Sequence, residues 1–141
     1  MTERLTIALA QCNPVVGDVA GNIERIRAIR DACSGVDLIV FSELVVSGYP
    51  PEDLVLKPFF QDKVEAAVAE LAKETGAGNP ALLVTAPWRE NGKVYNAVIL
   101  LDGGTIAAKR FKHDLPNYGV FDEKRVFASG PMPGPINFRD V

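Results

Sequence analysis

The chain has 141 residues, 48% of them hydrophobic and 23% charged, and fifteen Lys and Arg against eighteen Asp and Glu leave a formal net charge of -3. That length accommodates one domain with a real core, or a piece of a larger one. The charge balance excludes a dedicated nucleic-acid binder, which carries a basic excess.

The longest apolar run, residues 97–101, falls far short of the roughly 20 residues of a membrane-spanning helix. The first residues have no signal-peptide layout. The two cysteines, Cys12 and Cys33, allow at most one bridge, so composition points to a reducing, cytoplasmic setting.

In chain order, residues 4–11 mix alternation with bulky apolar side chains and predict a buried strand. Asn13-Pro14 and Gly17-Asp18 are turn chemistry. From Asn22 the period changes: Ile23, Ile26, Ile29 and Cys33 recur every three or four positions, predicting an amphipathic helix that ends near Gly35. Leu38-Ile39-Val40-Phe41 is wholly apolar and suits a strand covered on both faces. Gly48-Tyr49-Pro50-Pro51 reads as a loop, and Pro51 or Glu52 could open a helix. Val64, Ala67, Val68 and Leu71 mark a second amphipathic helix over residues 59–74. After a break at residues 76–80, residues 81–84 form a third buried strand. Glu90-Asn91-Gly92-Lys93 is a hairpin turn, with strands predicted over residues 93–101 and 105–110. Residues 111–125 read as polar loop. Residues 129–135 are rich in proline and glycine, and Ile136-Asn137-Phe138 could begin another strand.

Helices alternating with buried strands, followed by a hairpin, imply a layered α/β fold with a mixed sheet and both helices on one face. Such a sheet leaves its other face without a cover, and the final residues look like the start of a strand. The expectation is therefore that 141 residues are not the whole natural protein.

Glu43 follows an apolar strand directly, at the sheet edge where α/β proteins place their sites. Flanked by Phe41 and Leu44, its carboxylate would lose solvation, which suits a proton acceptor; a Glu paired with a nearby Lys or capping a helix is the plainer reading. Lys112, just past the hairpin, would stabilise an oxyanion if held near a reacting carbonyl, or is a solvated lysine. His113, the single histidine, has no Ser or Cys neighbour of nucleophile type and reads as a loop residue. Cys33 completes a helix face and reads as core; Cys12 follows a strand without an evident activating partner. No metal-spaced cluster, phosphate-binding loop or dinucleotide fingerprint is present.

Taken together, Ala10-Gln11-Cys12-Asn13-Pro14-Val15-Val16-Gly17-Asp18 with Asn22, and Asp37-Leu38-Ile39-Val40-Phe41-Ser42-Glu43-Leu44, resemble the opening and the first catalytic segment of the nitrilase (carbon–nitrogen hydrolase) superfamily. Ser47-Gly48-Tyr49-Pro50-Pro51-Glu52-Asp53-Leu54 and Lys112-His113-Asp114-Leu115-Pro116-Asn117-Tyr118, with Phe121-Asp122-Glu123-Lys124-Arg125 and Phe127, are similar to one branch of it, the glutaminase domains of glutamine-dependent NAD+ synthetases. The resemblance covers essentially the whole chain in order. It implies part of a nitrilase-type α-β-β-α sandwich, with residues 1–141 the N-terminal portion of a glutaminase domain and the synthetase domain outside this chain.

It further implies a Glu–Lys–Cys triad in which Glu43 is the general base and Lys112 the lysine. Glu123 matches the second glutamate near the triad, and Tyr49 and Tyr118 match tyrosines lining a glutamine pocket. The sequence departs from the pattern at the nucleophile: the family's cysteine lies on a strand downstream of the lysine, in a segment like Gly-Val-Pro-Ile-Cys-Glu-Asp, and neither Cys12 nor Cys33 matches it. Without it the chain alone would be inactive. In the full enzyme, ammonia released from glutamine passes to ATP-dependent amidation of deamido-NAD+; ATP, Mg2+ and deamido-NAD+ are expected at the synthetase domain and no cofactor in this chain. The family commonly assembles as homo-oligomers through this domain. Two alternatives remain: a stand-alone amidase or nitrilase of the superfamily, and a non-catalytic α/β interaction module. A catalytic role requires the heads of Glu43 and Lys112 to converge within about 6 Å, where opposite charges interact.

Overall fold

A computed structural model describes residues 4–76 and 78–141. The N-terminal residues 1–3, read above as lacking a signal layout, and Ala77, within the predicted break, lie outside the described residues. The elements run β1 (Ile7–Ala10), α1 (Val19–Ala32), β2 (Leu38–Phe41), a 3₁₀ segment (Glu52–Leu56), α2 (Pro58–Lys73), β3 (Ala81–Glu90), β4 (Lys93–Asp102), β5 (Thr105–Phe111) and a four-residue α3 (Glu123–Val126).

One five-stranded sheet has the order β1-β2-β3-β4-β5. The first three strands are parallel, and β4 and β5 add as antiparallel hairpins. This is the mixed sheet expected from helices that alternate with the first strands. Ile23 and Ile26 of α1 and Val64, Val68 and Leu71 of α2 join Ile39, Phe41, Leu82, Val84 and Ile99 in one buried core, so both helices cover the same face. Asp18 caps α1 by accepting from the Gly21 N–H at 3.0 Å. Pro58 opens α2 at a position where its missing N–H costs nothing.

The opposite face is not bare. Ile136 and Phe138 lie against Leu38, Ala81 and Leu100, while Leu9 on β1 stays 80% exposed. Residues 136–138 therefore cover the sheet with side chains and do not form the additional strand read from their composition; Phe138 and Val141 close on each other through backbone hydrogen bonds of 3.2 and 3.0 Å. Among the described residues no helix is long and apolar enough to cross a membrane.

The C-terminal ends of the helices are tied by charge. Glu74 accepts hydrogen bonds from Arg27 at 2.6 Å and Arg30 at 2.5 Å. Hydrogen bonding from Arg27, ahead of the opposing effect of burial, holds the Glu74 carboxyl below the usual carboxylate range. Its stabilising effect is thus complete above the ordinary carboxylate pKa and is lost as pH falls through the lowered one. E74Q is expected to cost about 1–2 kcal/mol near neutrality, because the pair is partly solvent-screened, and less at low pH. Urea unfolding at neutral and acidic pH measures both.

Candidate active site

The turn after β2 carries Glu43. Leu44, Val45 and Val46 are fully buried, so the backbone that bears them must be satisfied internally. Thr85 does much of this: its hydroxyl donates to the Ser42 carbonyl at 2.5 Å and accepts from the Val45 N–H at 2.9 Å. Asn22 anchors the other side, donating to the Val46 and Val15 carbonyls at 3.0 and 2.8 Å. The expectation that Phe41 and Leu44 would strip solvent from Glu43 is not met. Those two side chains enter the core, whereas the Glu43 side chain turns the other way and stays 46% exposed among hydrogen-bond donors.

Lys112 follows the last residue of β5, with its backbone N–H on the Asn96 carbonyl at 2.8 Å. Its ammonium lies 2.8 Å from Glu43 Oε1 and 3.1 Å from Glu123 Oε1. The convergence required of a catalytic pair is therefore present. Burial alone would lower the lysine, but hydrogen bonds to Glu43 and Glu123 and their charges outweigh it and hold Lys112 above its ordinary range. Lys112 is a fixed cation at neutral pH, able to stabilise negative charge but not to serve as the base.

Glu123 opens α3 and is only 4% exposed. Its Oε1 also accepts from the Tyr49 hydroxyl at 3.0 Å. Its Oε2 is buried with no hydrogen-bond partner among the described residues. Arg125, two residues on, pairs with Asp53, with Glu52 at 2.8 Å and with Asp122 at 2.6 Å, tying the loop after Tyr49 to α3. Burial, then the Glu123 hydrogen bond and nearby carboxylates, pushes the Tyr49 phenol up to about 12. E123Q is expected to bring this titration down toward the ordinary tyrosine value; tyrosinate absorbance, with Y49F identifying the signal, measures it.

Among the described residues Tyr118 makes no hydrogen bond to this group but packs on Phe121, which lines one cavity with Tyr49 and Glu123. The Tyr118 ring is 72% exposed and meets Phe121 edge-on at 5.6 Å. His113 holds the loop, with Nδ1 2.7 Å from the Gly130 carbonyl. The Cys12 thiol lies 3.6 Å from the Ser42 hydroxyl and Cys33 closes α1; both are free thiols outside the Glu43–Lys112–Glu123 group.

Two residues of the site were not anticipated. Thr85 lies on β3, and Asn96 on β4 donates to Glu43 Oε1 at 2.8 Å. A polar residue inside the apolar run of β4 was the available signal, since buried polar side chains need partners. Glu43, Thr85, Asn96 and Lys112 line an open cavity of about 350 Å³. Tyr49, Pro50, Glu123, Val126 and Phe127 line a second of about 210 Å³. Glu123 lines the second cavity and touches the first through Lys112.

The carbon-nitrogen hydrolase profile matches residues 6–137. The chain belongs to the carbon-nitrogen hydrolase family. Over 143 residues it is 41% identical to the glutamine-dependent NAD(+) synthetase of Rhodobacter capsulatus, covering 100% of this chain and 26% of that protein. The Aquifex aeolicus enzyme of the same name is 42% identical over 130 residues, covering 92% and 23%.

Among solved structures, the glutamine-dependent NAD+ synthetase of Acinetobacter baumannii superposes with a TM-score of 0.86 at 32% identity, covering 96% of this chain and 26% of that one. An amidase from Nesterenkonia sp. superposes with a TM-score of 0.76 at 26% identity, covering 93% and 50%. This carbon-nitrogen hydrolase chain thus spans about a quarter of the length of the curated relatives it matches. Its fold is that of the nitrilase superfamily, and its similarity to these enzymes supports a carbon–nitrogen hydrolase role.

Proposed function

We propose that this chain supplies the base and the cation of a glutamine amide hydrolase, within a longer polypeptide that uses the ammonia for ATP-dependent amidation of deamido-NAD+ to NAD+. The observation that carries the reading is the Lys112 ammonium clasped between Glu43 at 2.8 Å and Glu123 at 3.1 Å, with Tyr49 on Glu123.

In this reading a cysteine thiol supplied by the longer polypeptide attacks the carboxamide carbon while Glu43 takes its proton. The carbonyl electron pair moves to oxygen, where Lys112 offsets the charge. As the tetrahedral intermediate collapses, the C–N bond breaks and Glu43 returns the proton to the departing ammonia. Water, deprotonated by Glu43, then adds to the thioester; the C–S bond breaks and Glu43 returns that proton to the departing sulfur, giving glutamate and the free thiol. The orphaned Glu123 Oε2 suits an N–H of the substrate amide. ATP, Mg2+ and deamido-NAD+ are proposed to bind outside this chain.

The likeness to the Nesterenkonia amidase favours a second reading, an amidase without a synthetase. Expression of the complete reading frame separates the two. Glutamate release from glutamine, coupled to NAD+ formation from deamido-NAD+ and ATP, supports the first; ammonia release from other carboxamides, with no NAD+ formed, replaces it by the second.

A further inference from the structure

Asn96 is a polar side chain inside the otherwise apolar run of β4. It lies between Tyr95 and Ala97 on β4, is 5% exposed, and faces Pro87 across the β3–β4 ladder. A buried amide in such surroundings is destabilising unless it is hydrogen-bonded. Its Nδ2 donates to Glu43 Oε1 at 2.8 Å, and its backbone carbonyl accepts the Lys112 N–H at 2.8 Å. The Lys112 ammonium returns to the same Glu43 oxygen at 2.8 Å. Glu43, Asn96 and Lys112 therefore close a ring of three contacts, and both donors saturate Oε1. Among the described residues Oε2 of Glu43 accepts no hydrogen bond, and this half-exposed carboxylate lines the cavity it shares with Asn96 and Lys112.

We infer that Asn96 is a positioning residue that selects Glu43 Oε2 as the proton-accepting atom and holds base and cation in register. This inference rests on the amidase reading above. With Oε1 held by two N–H donors, the carboxylate cannot rotate to exchange its oxygens without breaking both bonds. The thiol proton would meet a single oriented oxygen, and the departing nitrogen would later take that proton back from the same atom. An oriented base contributes through geometry, so loss of Asn96 should reduce turnover more than substrate binding.

Two measurements test this. In the 141-residue chain, the Asn96 side-chain amide should show one proton protected from solvent exchange in nitrogen-15 NMR spectra. N96D identifies the signal, and E43A should abolish the protection. In the complete enzyme, N96S, which loses the donor without adding charge, should lower kcat for glutamine roughly tenfold or more, with KM changed by no more than about threefold; N96D, which keeps the shape but sets a second carboxylate against Glu43, should lower kcat at least as much. The N96S side chain is too short to reach Glu43, and N96D stands in if N96S fails to fold.

An Asn96 amide indifferent to E43A, or an N96D or N96S enzyme with unaltered kcat, overturns the inference. If the wild-type enzyme does not hydrolyse glutamine, the functional reading falls separately, and the NMR arm still decides whether Asn96 holds Glu43.

Discussion

If Glu43 is the proposed base, E43Q is expected to reduce glutamine hydrolysis by the complete enzyme by about 10²–10⁴-fold, the range of a lost general base, with little change in thermal stability. The variant is nearly isosteric. The amide oxygen can occupy the place of Oε1 and accept from both Asn96 and Lys112, whose contacts are each 2.8 Å. What it cannot do is take a proton. Glutamate release in the steady state, together with a thermal melt, tests both halves of the statement. An E43Q enzyme retaining more than a tenth of wild-type turnover would remove Glu43 from the proposed base role. K112M should be comparably damaging for a different reason. It leaves the buried Glu123 carboxylate, now held by Tyr49 alone, without its cation.

The second large effect is structural and falls on the loop that presents Tyr49. G48A is expected to cost about 3 kcal/mol or more. Gly48 has φ +83°, and a Cβ there would stand 2.5 Å from Val16 Cα and 2.6 Å from Val16 N. Backbone, not a flexible side chain, is in the way. The loop cannot shift freely, because the Gly48 N–H donates to the Leu44 carbonyl at 2.7 Å and the Gly17 N–H to the Ser47 carbonyl at 2.9 Å. G92A is the control: φ is +74° with nothing within 4 Å, so only the left-handed backbone penalty of about 1 kcal/mol applies. Urea denaturation of both variants measures the difference. Equal costs would mean that the two loops do not approach as closely as described. Displacement of this loop should also free Tyr49 from Glu123, returning its phenol toward ordinary titration.

The differences between predicted and observed elements have local causes. β2 matches its predicted bounds because a strand buried on both faces is apolar throughout and ends where polarity begins. Helix α1 starts at Val19, before the apolar period becomes visible at Ile23, because Asp18 supplies the cap. β3 runs on from residue 84 to Glu90 through Pro87. Proline reads as a breaker, but β2 pairs with β3 only as far as Leu83, so among the described residues no strand pairs that edge at Pro87 and its missing N–H is tolerated. The four-residue α3 within a stretch read as loop is too short to carry a period.

The residue types alone determined the α/β class and the placement of Glu43 at a strand end and of Lys112 past a hairpin, because hydrophobic period and turn chemistry are local properties of the chain; the family resemblance came from motifs matched in order along it, not from period. Only the tertiary structure decided that Lys112 is shared between Glu43 and Glu123 and that Thr85 and Asn96 belong to the site. Those relations join residues 11 to 69 positions apart. They depend on strand order and register across the sheet, which no local pattern encodes.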